Sequence, residues 1–484
     1  MMGDTWWSVP SFRYIWYDDD KPRPFDKTMG FKDMIRVRKE QGYNSVAILA
    51  TFANWVNDGH PARLLIDDEK KTLLRAAWVD PETNSAKEMH NENGVPFEFP
   101  GIIPGYENSY PDVRKLNPAY FQVLDKKLSY LNKEGFSPFM EAIRRDAVPA
   151  WFNYYGWPDS YIRYIKYFYN RYHAYNIILS PIHFDVAHDS IHPLHFNQVA
   201  IDAMSGEGML PFGTLISTNA GPSTLCHFGD HDEAPWLSIH QIGNMREHEY
   251  YWYLSEIYHH AKVKKPAIHG EPYYSAWGLN VDYYPPRAMP NTPRDDRYVR
   301  NGMYGSFLSG AFGGYIYGTT GIVRGEIESG YIYWMWDAIQ WSSGNMGKHF
   351  LKFALSEGKR YQDLIPDADF VTPSKTHEWD GFDGWAFCAR TAEKDLVMIY
   401  YEFGCPADRI RSMKHDGIYQ AQWFNPRNGE WLDAGTLYAS PLERILPLPP
   451  KPTEDDWCLK LKLMGEQEMV HGHENKTLSI RSLT

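Results

Sequence analysis

The chain has 484 residues, a formal net charge of −12 and a sequence pI near 5.9. Nucleic-acid binding requires a basic surface, so this acidic balance argues against nucleic acid as a partner. Aromatic residues make up 16% of the sequence, including 34 Tyr and 18 Trp. Aromatic rings stack on the C–H faces of sugars but also fill protein cores, so the composition is compatible with carbohydrate binding without requiring it.

The few cysteines exclude some site classes. There are four, Cys226, Cys388, Cys405 and Cys458. None belongs to a C-x-x-C pair, so neither a zinc ribbon nor a thioredoxin-like site is expected. Cys388 and Cys405 could meet in one small β domain, and the sequence leaves their pairing open.

The sequence gives no sign of a membrane span or a signal peptide. It has no run of about 18 apolar residues, the length that crosses a bilayer. Its first residues lack the charged and apolar regions of a signal peptide. Met1–Trp7 instead resembles the end of a strand, so we expect residues upstream of it. An export signal among those residues would place the protein in the periplasm or outside the cell, and the localisation is otherwise undetermined.

Short apolar segments alternate with amphipathic ones through most of the chain. Thr28–Gln41 has a helical pattern that ends at Gly42, and the apolar strand Tyr43–Ala50 follows. This βα pattern recurs. It predicts further helices at Tyr120–Glu134, Tyr161–Tyr172, Phe196–Met204, Glu247–Lys262 and Arg297–Ala311.

The apolar segments give about eight strands. They are Met1–Trp7, Tyr43–Ala50, Phe136–Ile143, Asn176–Ile182, Pro211–Thr218, Trp236–Gly243, Lys265–Glu271 and Gly313–Gly318. They are short and apolar throughout, as parallel strands covered on both faces are. We therefore predict a (β/α)8 TIM barrel over residues 1–364.

Two other regions depart from the βα pattern. The segment from Asn54 to Asn117 is rich in Gly, Pro, Asn and charge, and a loop this long is typically functional or disordered. It suggests a closed pocket and an exo mode of action. From Ile365 onward, short β-like runs alternate with turn residues, which predicts an antiparallel β-sandwich over residues 365–465. Residues 466–484 are predicted to be a tail.

Two carboxylates lie at predicted strand exits. Glu271 follows the seventh strand, and Asp185 follows the fourth. Barrel enzymes carry catalytic groups at the carboxyl ends of their strands, and glycoside cleavage needs two carboxyl groups flanking one bond. Glu271 could instead form a simple ion pair, and Asp185 could cap the next helix. Strands four and seven face one another across the barrel mouth, which favours a catalytic pair.

Further polar and aromatic residues are candidates for substrate binding, with core packing as the alternative for each. The histidines between His183 and His195 lack the H-E-x-x-H spacing of a zinc site, so no metal is predicted. The substrate-binding candidates are Asp4, Trp6, Trp7, Trp55, His183, Asn219, His240, His269, Tyr273, Tyr274 and Trp336.

The chain resembles the apiosidase-like barrels, which are glycoside hydrolase family 140 and the wider domain-of-unknown-function family 4038. Four segments carry the resemblance over nearly the whole chain. They are Gly3–Trp7, the fourth strand ending in Asp185, Lys265–Tyr274 and Ser309–Gly318. In addition, Trp423–Gly429 is similar to the small β domain of these proteins, which is sometimes labelled a "putative collagen-binding domain".

The resemblance implies that Glu271 is a nucleophile and that an Asp on strand four is the acid/base. The family commonly ends that strand in a Gly-Gly-Asp-type sequence, whereas this chain has Pro181–Asp185. Asp189 and Glu233 therefore stay open as alternative acids. We expect a retaining, exo-acting glycoside hydrolase that needs no cofactor and acts on a side chain of a plant or algal polysaccharide. The competing hypothesis is a non-catalytic glycan-binding or adhesion protein.

Overall fold

The computed structural model of the chain describes part of its residues. These are 1–51, 64–67, 72–75, 90–98, 100, 112–145, 155–185, 192–204, 210–276, 288–327, 333–372, 383–440 and 444–466. Trp55, His188, Asp189 and most of the loop before Asn117 lie outside the described residues, as does nearly all of the predicted tail. The chain forms two compact units. The first contains Met1–Met245, His260–Trp277 and Gly313–Gly344, and the second contains Arg246–His259, Gly278–Phe312 and Asn345–Thr484.

Eight parallel strands form the first unit's sheet. They are β1 (Met2–Thr5), β2 (Ser45–Leu49), β3 (Phe139–Glu141), β4 (Ile178–Ser180), β5 (Leu215–Ile216), β6 (His240–Ile242), β7 (Ala267–His269) and β8 (Gly314–Tyr317). Each strand lies beside its neighbour in sequence, and β8 pairs with β1. Backbone hydrogen bonds from Ser238 to Ile216 and from Gly243 to Ala220 join β6 to β5. The predicted (β/α)8 barrel is thereby confirmed.

The barrel interior is filled by apolar side chains, one from most of the strands. The buried set is Ala47, Phe139, Ile178, Ile239, Ile268 and Ile316. Successive residues of a strand point to opposite faces, so the residues two positions further along each strand also point inward. This alternation places Leu49, Glu141 and Ser180 on the inner side at the carboxyl end of the barrel.

Helices follow the strands. They are α1 (Phe31–Glu40), α2 (Pro118–Lys133), α3 (Asp159–Tyr172), α4 (His195–Ala203), α5 (Thr224–Phe228), α6 (Tyr250–His260), α7 (Pro293–Leu308), α8 (Met335–Ala338) and α9 (Met346–Ala354). Local sequence sets their starts. Asn117 caps α2 by accepting a hydrogen bond from the Ala119 amide, and Pro118 occupies the first turn, where its missing N–H costs nothing.

Two short antiparallel hairpins lie between β2 and α2. They pair Leu64–Asp67 with Thr72–Arg75, and Phe97–Glu98 with Asp112–Leu116. The fifth predicted strand is shorter than expected. Pro211–Gly213 forms a 3-10 turn, in which Phe212 has a φ of 63°, and only Leu215–Ile216 pairs.

The second unit contains the predicted β-sandwich, which is confirmed. Its strands are β9 (Ile365–Pro366), β10 (Val371–Thr372), β11 (Ala386–Arg390), β12 (Leu396–Tyr401), β13 (Arg409–Ile410), β14 (Gly417–Asn425), β15 (Glu430–Tyr438), β16 (Leu446–Pro447) and β17 (Trp457–Glu466). A six-stranded antiparallel sheet has the order β9-β11-β12-β17-β14-β15, and a three-stranded sheet has the order β10-β13-β16. Apolar residues of both sheets share one buried core, which includes Ile399, Ile410, Leu446 and Leu459.

Two further sequence questions have structural answers. All four cysteines are free thiols, so Cys388 and Cys405 do not form a disulfide. Among the described residues, no helix has the length and apolar character needed to cross a membrane.

Candidate active site

Parallel pairing continues beyond the ends of β3, β4 and β5 and brings their following residues together. Arg144 pairs with His183, and Phe184 pairs with Ala220. Gly221 lies so close to the Asp185 carbonyl that a Cβ at this position would collide with it. The backbone therefore holds Asp185 at the carboxyl end of the barrel.

Asp185 and Glu271 lie close together at this end. Three atoms lie within 4.8 Å of one another: a ring nitrogen of His183, a carboxylate oxygen of Asp185 and a carboxylate oxygen of Glu271. A carboxylate oxygen of Asp185 is thus within that distance of one from Glu271. Both side chains are largely enclosed, because Asp185 is 6% and Glu271 2% exposed. The structure brings together the two carboxylates that the sequence singled out.

An amide orients Glu271. The Asn219 side-chain NH2 donates to Glu271 Oε2 at 3.0 Å. Asn219 in turn packs against Gly243, where a Cβ would collide with its side-chain oxygen. Glycine at this position therefore permits the close approach of Asn219, which sets the position of the Glu271 carboxylate.

A third acidic residue, Glu141, lies next to this pair. Glu141 Oε2 is 2.5 Å from His183 Nδ1, and Glu141 Oε1 accepts a hydrogen bond from the backbone N–H of Asn219 at 3.0 Å. Ser180 Oγ also lies 3.5 Å from Glu141 Oε1. The other ring nitrogen, His183 Nε2, is 3.4 Å from Asp185 Oδ1. Glu141, His183 and Asp185 therefore form a continuous row.

Two arginines flank Asp185. Arg145 Nη1 contacts Asp185 Oδ1 directly, and Arg144 Nη2 is 3.6 Å from Oδ2. Burial and these two positive charges hold the pKa of His183 well below its usual range, so the imidazole is neutral. Burial, the largest cause, raises the pKa of Glu141 well above its usual range, and the nearby Glu271 adds to the effect.

An aromatic wall borders the same space. Trp7 packs edge-to-face against His183, with ring centroids 5.3 Å apart, and against Tyr274 at 6.3 Å. Thr5 Oγ1 lies 3.3 Å from Tyr274 Oη. These inward-facing residues offer ring faces and hydroxyl groups, the chemistry with which proteins bind sugars.

Asp4 and Trp6 lie on the opposite side of β1. Asp4 Oδ2 is 2.6 Å from Arg38 Nε of α1, and Trp6 Nε1 donates to the same oxygen at 2.5 Å. Burial raises the pKa of Asp4, and the Arg38 charge opposes this. Because side chains alternate along a strand, Asp4 and Trp6 cannot share the inner face with Thr5 and Trp7. The structure does not bring Asp4 and Trp6 to the catalytic pair.

The remaining predicted binding residues are dispersed. His240 is the first residue of β6 and its Nδ1 lies 3.0 Å from Thr224 Oγ1, while burial lowers its pKa to about 4. His269 is buried with its ring 5.7 Å from that of Tyr315. Tyr273 is buried beside Tyr274 in sequence. Trp336 stacks on Trp334 at 5.2 Å. Of the described candidates, Trp7, His183, Asn219 and Tyr274 lie around the carboxylates.

The same cluster has a spacing that a metal ion could use. His183, Asp185 and Glu271 offer three ligand atoms, but the Arg145 guanidinium already contacts Asp185. A dication here would face a positive charge next to one of its ligands, which is unfavourable. We therefore assign no metal to these residues.

A cavity lies at the other end of the barrel. It has a volume of about 630 Å³ and is lined by residues that precede the strands, among them Asn44, Ser137, Asn176 and Thr214. Barrel enzymes place their chemistry at the carboxyl ends of the strands. This cavity contains none of the predicted site residues and belongs to the opposite face.

Sequence reasoning missed Glu141, Arg144 and Arg145. Glu141 is the last residue of β3, and Arg144 and Arg145 come shortly after it, at the end of a predicted strand that ran to Ile143. In a barrel, consecutive strands are neighbours, so a carboxylate at the exit of strand three should lie beside a histidine at the exit of strand four. That signal was present in the sequence.

Comparisons with known proteins agree with this geometry. A family described as "Apiosidase-like, catalytic domain" matches residues 1–352, and "Putative collagen-binding domain of a collagenase" matches residues 365–462. No curated protein matches the chain.

Solved structures share the fold at low sequence identity. One described as "Glycoside hydrolase" has a TM-score of 0.63 at 17% identity, covering 95% of this chain and 92% of that one. A glycoside hydrolase family 5 protein from Bacteroides vulgatus has a TM-score of 0.62 at 17% identity, covering 95% and 88%. The family match covers most of the chain and confirms the resemblance noted from its motifs. The chain belongs to the apiosidase-like family, and its barrel is the catalytic domain of a glycoside hydrolase.

Proposed function

We propose that the protein hydrolyses a glycosidic bond with retention of anomeric configuration, with Glu271 as nucleophile and Asp185 as acid/base. The observation that carries this proposal is the approach of the two carboxylates to within 4.8 Å. Retaining enzymes hold their carboxyl groups about 5–5.5 Å apart, whereas inverting enzymes leave about 6.5–9.5 Å for a water molecule. The approach of one oxygen of each carboxylate to within 4.8 Å is compatible with the closer, retaining arrangement and with direct attack by Glu271.

The reaction has two steps. In the first, protonated Asp185 donates its proton to the leaving glycosidic oxygen while a Glu271 oxygen attacks the anomeric carbon. A covalent glycosyl-enzyme forms and the leaving group departs as an alcohol. In the second step, Asp185 takes a proton from water, and the resulting nucleophile displaces Glu271. Asn219 keeps the Glu271 carboxylate in position through its hydrogen bond.

The substrate we propose is a terminal sugar on a side chain of a plant or algal polysaccharide. Support comes from the apiosidase-like family match and from the aromatic wall of Trp7 and Tyr274. Enclosure of both carboxylates favours a pocket that admits one chain end. Exo action follows from a pocket of this kind.

The test is a screen of plant and algal polysaccharides, including apiose-bearing pectin fragments, for released sugar. The first-formed anomer is then followed by NMR. We expect one released monosaccharide with retained configuration. Release of the inverted anomer would contradict the role of Glu271 as nucleophile, and release of internal oligosaccharides would contradict exo action.

A second candidate is glycan binding without hydrolysis. It is favoured by the direct contact of Arg145 with Asp185, because a guanidinium next to a carboxylate stabilises its charged form, which cannot donate a proton. Binding of a glycan by the wild-type protein, with no hydrolysis of any screened substrate, would select this candidate.

A further inference from the structure

We propose that Glu141 and His183 form a buried proton relay that supplies Asp185 with the proton it gives to the leaving group. This inference rests on the proposed function, in which Asp185 is the acid/base. It assigns Glu141 and His183 as positioning and proton-storing residues that act through Asp185.

The relay answers a difficulty in the site. An acid must carry a proton when the substrate arrives, yet Arg145 contacts Asp185 and Arg144 lies 3.6 Å away. Two adjacent positive charges favour the carboxylate form of Asp185. A proton held nearby, and passed to Asp185 only when needed, removes this conflict.

The geometry provides such a store. Glu141 Oε2 lies 2.5 Å from His183 Nδ1, and His183 Nε2 lies 3.4 Å from Asp185 Oδ1. The imidazole therefore lies between the two carboxyl groups, bonded to Glu141 at Nδ1 and close to Asp185 at Nε2, where a small approach would complete the chain. Glu141 and His183 are fully buried, so bulk water does not compete for the proton.

Burial also decides where the proton rests. It raises the pKa of the Glu141 carboxyl, and with the charges of Arg144 and Arg145 it lowers the pKa of the His183 imidazole. A neutral Glu141 donating to Nδ1 leaves the hydrogen of the imidazole on Nε2, where it faces the Asp185 carboxylate. The charged or titratable groups that surround the relay are Asp185, Glu271, Arg144 and Arg145.

The proton transfers balance without any other reactant. The Glu141 O–H bond breaks as an N–H bond forms at His183 Nδ1. At the same time the Nε2–H bond breaks and an O–H bond forms at Asp185. The imidazole stays neutral and changes only its tautomer, while the negative charge moves from Asp185 to Glu141. After Asp185 has protonated the leaving group and later taken a proton from water, the reverse shift returns that proton to Glu141.

The test compares Glu141→Gln with the wild type on two substrates of one sugar. These are the natural oligosaccharide found in the screen and the 2,4-dinitrophenyl glycoside, whose leaving group needs no proton. General acid catalysis contributes about 10²–10⁴-fold. We expect kcat/KM for the oligosaccharide to fall at least tenfold more than kcat/KM for the aryl glycoside. The alkaline limb of the pH–rate profile should move to lower pH, because Asp185 loses its proton store.

Two further variants separate a relay from a structural effect. His183→Asn should reproduce the leaving-group selectivity, and the double variant with Glu141→Gln should be no worse than the poorer single one, since both break one chain. Asp4→Asn is the matched control, because Asp4 is also a buried carboxylate in the barrel unit but faces Arg38. Its losses should be equal on both substrates.

The outcomes separate failure of the relay from failure of the proposed function. Equal losses of Glu141→Gln on both substrates, with an unmoved alkaline limb, would overturn the relay alone. If Asp185→Asn shows no leaving-group selectivity, or the wild type hydrolyses neither substrate, the acid/base assignment fails and the relay fails with it.

Discussion

Two buried histidine–glutamate pairs occur among the described residues, one in each compact unit, and their surroundings differ. His183 lies 2.5 Å from Glu141 in the barrel, and His248 Nε2 lies 2.7 Å from Glu402 Oε1 in the second unit. Neither outer nitrogen has a hydrogen-bond partner among the described residues. His183 Nε2 nevertheless lies 3.4 Å from Asp185 Oδ1, a distance from which a small movement would form a hydrogen bond.

The other contacts of the His248–Glu402 pair are made with Trp385. Glu402 Oε2 accepts a hydrogen bond from the Trp385 amide at 2.8 Å, and the His248 ring stacks on Trp385 with centroids 4.3 Å apart. In the described part of the chain, no hydrogen bond joins His248 Nδ1 to a second carboxylate. Under the proposed relay, the two pairs differ in the group that lies next to the outer nitrogen. We expect the following effects for the proposed nucleophile, the His248 pair and two buried charges of the barrel unit, from the largest to the smallest.

The largest effect is expected from Glu271→Gln. It removes the proposed nucleophile but keeps the side-chain size and a hydrogen-bond acceptor for Asn219. We expect kcat/KM to fall by at least about a thousandfold, because no glycosyl-enzyme can form. Thermal unfolding should stay close to that of the wild type. Retained hydrolysis of a natural glycan would exclude Glu271 as nucleophile and with it the role of the carboxylate pair.

The next largest effect is a stability change from Arg38→Met. This variant leaves Asp4 buried without its ion-pair partner, and breaking a buried pair in this way costs about 3–5 kcal/mol. The free energy of unfolding, measured in urea, should fall by that amount. Adding Asp4→Asn in the same chain should restore part of the loss, since the unpaired charge is gone. A neutral result for Arg38→Met would show that the pair contributes nothing to stability.

Glu402→Gln should lower stability without affecting the chemistry. It weakens the hydrogen bonds to His248 and to the Trp385 amide, which costs about 1–3 kcal/mol in a buried position. The ratio of kcat/KM for the oligosaccharide and the aryl glycoside should match that of the wild type. If Glu402→Gln produced the leaving-group selectivity expected of Glu141→Gln, the distinction between the two pairs would be wrong.

The smallest effect for a change of one pH unit is expected from Lys127, a buried side chain whose amine donates to the carbonyls of Val9 and Ser11. Burial lowers its pKa from 10.5 to about 7. Between these values the unfolded chain binds more protons than the folded one, so stability rises with pH by about 1.4 kcal/mol per unit. Below pH 7 both states are protonated and this dependence ends. Lys127→Met should lack the rise between pH 7 and 10.5, and an identical slope in both proteins would exclude the assignment.

The sequence by itself determined the architecture. Short apolar runs separated by helical patterns predicted all eight barrel strands, because parallel strands covered on both faces must be apolar throughout. The runs after Ile365 predicted the sandwich, because short strands at close spacing with turn residues between them are typical of antiparallel sheets. Glu271 and Asp185 were also found, since each is a carboxylate placed just after an apolar run.

Only the tertiary structure decided which side chains meet. Asp4 and Trp6 belong to the same motif as Trp7, yet they face α1 because the pleat of β1 sends alternate residues to opposite sides. The strand order places Glu141 near the exit of β4, but only the structure shows that its carboxylate contacts His183, which follows that strand. The register that pairs Arg144 with His183 joins residues far apart in sequence. Such non-local contacts depend on the closed sheet, and local patterns of apolar and polar residues do not encode them.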